Sequence, residues 1–121
     1  MNNAVRVLLV EDDALIALAM EMQLKREGYS VCSRVATGED AIVSAQSKAP
    51  DIILMDIRLA GNIDGVEASC KIREFSDVPI IFLTGYQDPA TEKRAQAVNP
   101  LAYLIKPADF HILQMLLDSA K

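Results

Sequence analysis

The chain has 121 residues, which is the size of one ordinary domain. Hydrophobic residues make up 51% of it and charged residues 24%, a balance that permits a sizeable core and argues against disorder. The net charge of −5 argues against direct binding of a nucleic-acid backbone. Because the apolar runs are too short to cross a membrane and the N-terminus lacks a signal-peptide pattern, we expect a cytoplasmic location and no membrane contact.

Five short apolar runs, rich in β-branched residues, alternate with amphipathic stretches along the chain. Runs of this kind are typical of strands that are buried on both faces, as in a parallel sheet. The predicted strands are Val5–Val10, Ser30–Val35, Ile52–Met55, Ile80–Leu83 and Ala102–Ile105.

The stretches between these runs have helical spacing and helical stop signals. The first stretch has apolar positions at Leu15, Leu18, Ala19 and Met22 and stops at Gly28. The second covers about residues 39–48, with Ala41, Ile42 and Ala45 inward, and the third about residues 64–75. The fourth begins at Asp88-Pro89, a capping residue followed by proline, and the fifth has Phe110, Leu113 and Leu117 on one face.

Five successive βα units predict one doubly wound α/β domain, (βα)5, over residues 1–121 with a five-stranded parallel sheet. Ligands of such sheets bind outside the carboxyl ends of the strands. Four of the predicted strands end in chemically active residues, which are Glu11-Asp12-Asp13, Asp56, Thr84-Gly85 and Lys106-Pro107. We therefore expect acids, a hydroxyl and an ammonium group to converge at one edge.

The predicted convergence points to a metal site and to phosphoryl transfer. The carboxylates of Glu11, Asp12 and Asp56 would repel one another unless a cation lay between them. Oxygen ligands select Mg²⁺, with Mn²⁺ as an alternative, and Lys106 supplies a second positive charge. A carboxylate beside such groups can act as nucleophile and form an acyl phosphate. Asp13 precedes the first helix and is interpreted first as its N-cap.

The chain resembles the receiver domain of bacterial response regulators from two-component systems over essentially its whole length. The segments that carry the resemblance are VLLVEDD at 7–13, PDIILMDI at 50–57, DG at 64–65, PIIFLTG at 79–85 and YLIKP at 103–107. The resemblance implies a flavodoxin-like sheet with strand order 2-1-3-4-5. It also implies a signalling role rather than an enzymatic one, in which Asp56 accepts a phosphoryl group from a sensor histidine kinase or a phosphotransfer protein.

The resemblance implies a role for each residue at the strand ends. Asp12 and Asp56 would bind Mg²⁺ directly, Glu11 through water, and Arg58 through its backbone carbonyl, whereas Asp13 falls outside this ligand set. Thr84, Gly85 and Lys106 would serve the phosphoryl group, with Lys106-Pro107 as a cis peptide.

By the same resemblance, Thr84 and Tyr103 would form a switch. Thr84 would follow the phosphoryl oxygen inward, and Tyr103 would rotate into the space that Thr84 leaves. This movement would change the face formed by the fourth helix, fifth strand and fifth helix, where a downstream protein or an output domain binds.

Three features depart from the family pattern. The loop after Asp56 has Ala60 in place of the usual proline and is one residue longer, with a predicted turn at Gly61-Asn62. Ala108 replaces a common phenylalanine, and we expect Phe110 to take its space. Arg58 and Tyr86 flank the path of hydrolytic water, which predicts slow autodephosphorylation.

Three other functions are alternatives to a phosphoryl acceptor. A haloacid-dehalogenase-type phosphatase needs a second aspartate two residues after the nucleophile, where this chain has Arg58. A flavodoxin-type cofactor site needs a phosphate-binding loop after the first strand, where acids at 11–13 would repel phosphate. The intact acidic set, with Thr84 and Lys106, argues against a degenerate receiver that only binds proteins. Cys32 and Cys70 form no metal-binding pair, and we expect both to be buried, inert thiols.

Overall fold

The computed structural model describes residues 4–85 and 87–120. Strands and helices alternate through these residues, and the neighbouring strands of the sheet are parallel, in the order β2-β1-β3-β4-β5. The predicted (βα)5 fold and its strand order are therefore confirmed. The elements are β1 (Arg6–Val10), α1 (Ala14–Arg26), β2 (Ser30–Val35), α2 (Gly38–Lys48), β3 (Ile52–Asp56), α3 (Gly65–Arg73), β4 (Ile80–Thr84), α4 (Pro89–Gln96), β5 (Ala102–Ile105) and α5 (Phe110–Asp118).

The sheet separates two apolar cores because successive side chains of a strand point to opposite faces. In β1, Leu8 and Val10 belong to the core shared with α2, α3 and α4, whereas Val7 and Leu9 belong to the core shared with α1 and α5. Both cores continue through β3 and β4, whose residues are all buried. This double burial explains why the central strands are continuous apolar runs.

Capping residues fix where the helices begin, next to the strand ends. The side chain of Asp13 accepts hydrogen bonds from the backbone N–H groups of Leu15 and Ile16, which confirms it as the N-cap of α1. Asp88 caps α4 ahead of Pro89, also as predicted. Gly28 follows the end of α1 at φ +93°, a conformation that glycine adopts without strain.

The expected apolar face of α1 does not face the core. Leu15, Leu18 and Met22 are 79%, 45% and 55% exposed, whereas Ala17 and Leu24 are buried. Apolar residues lie on more than one side of this helix, so spacing alone does not select the packed side. No helix of the described residues has the length and apolar character needed to span a bilayer.

The expectation that both cysteines are buried is wrong, since one is exposed and the other is only partly buried. Cys70 is exposed on α3, because the inward side of that helix is supplied by its neighbours Ala68, Ser69 and Ile72. Cys32 is half-buried, and desolvation by burial raises the pKa of its thiol above the ordinary value.

Candidate functional site

The carboxyl ends of four parallel strands bring the predicted residues to one edge of the sheet. Asp56 and Thr84 are the last residues of β3 and β4. Glu11 and Lys106 directly follow β1 and β5, and backbone hydrogen bonds hold them in line with the neighbouring strands. The N–H of Glu11 donates to the Val35 carbonyl at 3.0 Å, and the N–H of Lys106 donates to the Thr84 carbonyl at 2.7 Å.

Three carboxylates meet at this edge. One carboxylate oxygen from each of Glu11, Asp12 and Asp56 lies within 4.8 Å of the other two. Glu11 and Asp56 are buried, at 4% and 7% exposure, and Asp12 is exposed at the mouth of the cluster. An all-oxygen donor set with negative charge that opens to solvent on one side suits a hard divalent cation such as Mg²⁺. The predicted convergence of these acids is confirmed.

Lys106 joins the two buried acids. Its Nζ atom lies 2.6 Å from Oε1 of Glu11 and 3.1 Å from Oδ2 of Asp56. Burial alone lowers the pKa of this ammonium group, but hydrogen bonds and attraction to Glu11 and Asp56 outweigh burial and raise the pKa above its ordinary value. The lysine therefore stays charged beside the phosphoacceptor candidate. The Lys106-Pro107 peptide is cis, as predicted.

Asp13 contributes to the site through its backbone, a role that the sequence did not indicate. Its carboxylate is used in capping α1, whereas its N–H donates to Oε2 of Glu11 at 3.1 Å. Glu11 is thus held from two sides, by Lys106 on one oxygen and by Asp13 on the other. The start of α1 thereby orients one member of the acidic cluster.

Thr84, the last residue of β4, lines a small cavity together with residues of the loop between β3 and α3. The cavity has a volume of about 110 Å³, and its walls include Arg58, Thr84 and Asp88. Thr84 is buried and Arg58 is exposed. Gly85 is exposed, and a Cβ at this position would meet no atom within 4 Å in the described part of the chain. Tyr86, the second residue of the proposed water barrier, lies outside the described residues.

Tyr103 packs on β4 from the last strand of the sheet. Its ring centroid is 6.4 Å from that of Phe82, at an interplanar angle of 59°. Its hydroxyl is buried and has no hydrogen-bond partner among the described residues. Burial raises the pKa of this hydroxyl, and the nearby negative charges of Glu92 and Asp88 raise it further. Tyr103 thus contacts the sheet on one side and faces α4 on the other.

The loop between β3 and α3 folds back onto the end of β3. The N–H of Gly65 donates to the Ile57 carbonyl at 2.7 Å, and a Cβ at Gly65 would overlap the Asp56 carbonyl oxygen. A glycine is therefore required where α3 begins. A turn is predicted at Gly61-Asn62, and the structure has a bend there, with Gly61 at φ +96°.

A larger, mainly apolar cavity of about 440 Å³ lies between α1 and α5, next to Lys106. Ala108 and Phe110 both line it. Phe110 packs partly buried against the α1–α5 core. The expectation that Phe110 takes the space left by the small Ala108 therefore holds only in part, because an open cavity remains beside both residues.

Comparison with known proteins agrees with this geometry. The sequence profile described as the response regulator receiver domain matches residues 7–118. The chain belongs to this family. Receiver domains are signalling domains of two-component systems, and the response regulators that contain them interact with histidine kinases and output domains.

Relatives of this receiver domain include several bacterial regulators. The transcriptional regulatory protein PdtaR of Mycobacterium tuberculosis is 33% identical over 84% of the chain and 49% of its own length. AfsQ1 of Streptomyces coelicolor, also a transcriptional regulatory protein, is 36% identical over 88% of the chain and 47% of its own length. The chain thus spans about half the length of these curated relatives.

A solved structure resembles the receiver domain over almost its whole length. The signal receiver domain of a modulated diguanylate cyclase from Desulfovibrio desulfuricans G20 is 40% identical, with a TM-score of 0.90. The match covers 98% of this chain and 94% of that one.

Proposed function

We propose that this receiver domain accepts a phosphoryl group on Asp56 from a sensor histidine kinase or a phosphotransfer protein. The observation that carries the proposal is the contact of Lys106 with Glu11 and Asp56, beside the exposed Asp12. Asp56 is thus a buried carboxylate at the end of β3, with the ammonium group of Lys106 and the carboxylates of Glu11 and Asp12 beside it. The scaffold can therefore orient a nucleophilic carboxylate and stabilise the charge that gathers around it.

In the proposed step, an oxygen of Asp56 attacks the phosphorus of a phosphohistidine. The new O–P bond forms an acyl phosphate, the P–N bond breaks, and the imidazole leaves with its electron pair. Lys106, already 3.1 Å from Asp56, pairs with one phosphoryl oxygen, and Thr84 hydrogen-bonds another. Gly85 leaves the approach to this oxygen open.

Glu11, Asp12, Asp56 and the backbone carbonyl of Arg58 are the residues that would hold Mg²⁺, with Mn²⁺ as an alternative. The bound ion supplies positive charge to the phosphoryl oxygens. One lysine faces three carboxylates here, so the cluster retains negative charge for a divalent cation. Its donors are all oxygens, as this class of ion requires.

The proposed output of the domain is a change in the face formed by α4, β5 and α5. Phosphorylation adds about two negative charges beside Thr84. Thr84 moves toward the phosphoryl group, and Tyr103 turns into the space that it leaves. Support for this movement comes from the buried Tyr103 hydroxyl, which no hydrogen bond with the described residues holds in place. A downstream protein or an output domain then recognises the changed face.

Phosphorylation with a small-molecule donor tests the proposal. The wild-type protein and the Asp56→Asn variant are incubated with acetyl phosphate, with and without Mg²⁺, and their intact masses are measured. We expect the wild type to gain one phosphoryl group only with Mg²⁺, and Asp56→Asn to gain none. A wild type without this gain would favour a degenerate receiver that only binds proteins.

The lifetime of the acyl phosphate is also part of the proposal. Arg58 is an exposed wall of the cavity beside Thr84, and Tyr86 stands two residues after Thr84 in sequence. We expect Arg58→Asn and Tyr86→Ala to shorten the lifetime of the phosphorylated protein, because smaller side chains admit water. An unchanged or longer lifetime in both variants would contradict the shielding role.

The same function is consistent with a cytoplasmic protein whose receiver domain binds neither nucleic acid nor membrane directly. The net charge of −5 supports the absence of direct nucleic-acid binding.

A further inference from the structure

The loop at residues 57–64, which follows the phosphoacceptor strand, is tied to the first turn of α2. Ala60 forms an isolated parallel bridge with Thr37, the N-cap of α2. Two residues into the same helix, Glu39 accepts a hydrogen bond at Oε2 from the backbone N–H of Asn62, at 3.1 Å. A separate element of the fold therefore holds the tip of this loop.

The backbone of the loop lies directly against the carboxylate of Glu39. Gly61 adopts φ +96°, and a Cβ at Gly61 would lie 2.7 Å from Oε1 of Glu39. That oxygen is buried and has no hydrogen-bond partner in the described part of the chain, so Oε2 makes the polar contact with the loop.

Backbone contacts also hold the base of the loop, next to Asp56. Gly65 closes the loop by donating its N–H to the Ile57 carbonyl at 2.7 Å, and its backbone packs on the Asp56 carbonyl group. Arg58 lies one residue inside this closed end. Its carbonyl is therefore placed by the base of the loop on one side and by the tip, through residues 59–62, on the other.

We propose that Glu39 is a positioning residue for the metal site. Its carboxylate holds the loop tip against α2 and thereby fixes the direction of the Arg58 backbone carbonyl beside Asp56. This inference rests on the proposed function, because only that function makes the Arg58 carbonyl a metal ligand. Groups that orient metal ligands from behind typically change metal affinity by 10- to 100-fold when they are removed.

Two substitutions separate the hydrogen bond of Glu39 from its charge. Glu39→Asp keeps the charge but is one methylene too short for the 3.1 Å contact with Asn62. Glu39→Gln keeps the length and an oxygen acceptor but removes the charge. Asp40→Asn is the matched control, because Asp40 is the next residue in the same helical turn and its side chain is exposed.

The first measurement is amide hydrogen exchange in protein freed of metal with a chelator. The second is the Mg²⁺ dissociation constant, obtained from amide chemical shifts during a titration with MgCl₂. In Glu39→Asp, we expect the amide hydrogens of residues 59–62 to exchange faster than in the wild type. We also expect this variant to bind Mg²⁺ about tenfold more weakly. Glu39→Gln and Asp40→Asn should stay close to the wild type in both measurements.

Two results would overturn the positioning role. One is a Glu39→Asp variant that matches the wild type in exchange and in Mg²⁺ affinity. The other is a Glu39→Gln or Asp40→Asn variant that loses as much affinity as Glu39→Asp, since charge rather than position would then explain the loss. A wild type that binds no Mg²⁺ and accepts no phosphoryl group would overturn the proposed function itself, which is a separate outcome.

Discussion

The residues around the acidic cluster neutralise its negative charge only in part. Lys106 neutralises part of the charge on Glu11 and Asp56 through contacts of 2.6 and 3.1 Å. Among the described residues, the side chain of Asp12 has no ion pair, although its carboxylate lies within 4.8 Å of the other two. Because like charges at this separation repel, the metal-free site stores unfavourable electrostatic energy that a cation would release.

Neutralising Asp12 is therefore predicted to stabilise the metal-free protein. We expect Asp12→Asn to raise the free energy of unfolding by up to about 1 kcal/mol in the presence of a chelator, because one repelling charge at an exposed position is removed. The wild type should gain stability from Mg²⁺, and the variant should gain much less. Urea denaturation with and without Mg²⁺ measures both effects.

Asp13→Asn provides the control for this prediction. Asparagine also caps helices well, and Asp13 uses its carboxylate to cap α1 rather than to join the cluster. The control should therefore keep a stability and a Mg²⁺ response close to those of the wild type. An Asp12→Asn variant that is less stable than the wild type in chelator would contradict the repulsion argument.

At the scale of elements, α1 shows two apolar sides that differ in function. One side carries the buried Ala17 and Leu24, of which Leu24 belongs to the core shared with α5, and the other exposes Leu15, Leu18 and Met22 to solvent. The first side therefore removes the larger share of its apolar surface from water and contributes more to folding.

Paired alanine substitutions test this assignment. We expect Leu24→Ala to lower the free energy of unfolding by about 2–5 kcal/mol, since it empties a fully buried position. Leu18→Ala should change the same quantity by no more than about 0.5 kcal/mol. Chemical denaturation of both variants is the measurement, and similar losses in the two would show that the packed side of α1 has been misassigned.

The strands and the site edge were predictable from the sequence for a physical reason. A strand buried on both faces must be apolar throughout, so β1, β3 and β4 are visible as runs. Their polar ends, at Glu11, Asp56 and Thr84, mark the edge that Lys106 joins from the end of β5. The packed side of α1 was missed because it depends on partners distant in sequence. Two hydrogen bonds were missed for the same reason, namely the one from the N–H of Asp13 to Glu11 and the one from the β3–α3 loop to Glu39.

At the scale of the whole molecule, a buried tyrosine ties the last helix to the first third of the chain. Tyr29, in the turn between α1 and β2, donates its hydroxyl proton to Oδ1 of Asp118 at 2.7 Å. Burial, together with this hydrogen bond and the charge of Asp118, raises the pKa of Tyr29 to about 12. Ionisation of the hydroxyl would place two negative charges together and remove the hydrogen bond between Tyr29 and α5.

The contact between Tyr29 and Asp118 should make the free energy of unfolding depend on pH in the alkaline range. Since the pKa in the folded state exceeds the ordinary value near 10, the stabilisation is complete below about pH 10 and is lost as the pH rises toward 12. We expect Tyr29→Phe to cost about 1 kcal/mol at neutral pH and to remove this part of the alkaline decline. Urea denaturation across the pH range measures both.

Tyr103→Phe is the matched control at neutral pH. The hydroxyl of Tyr103 makes no hydrogen bond with the described residues, so removing this group should leave the free energy of unfolding unchanged or slightly higher. If Tyr29→Phe shows the same small effect as this control, the link between Tyr29 and Asp118 does not stabilise the fold.

The central claim is that Asp56 is the residue that carries the phosphoryl group. The direct measurement is to treat the protein with acetyl phosphate and Mg²⁺, reduce the acyl phosphate with borohydride, and locate the modified residue by peptide mass spectrometry. We predict one modified residue, Asp56, and no modification when Mg²⁺ is chelated. Modification at Glu11 or Asp12 instead, or at no acidic residue of the cluster, would contradict the account.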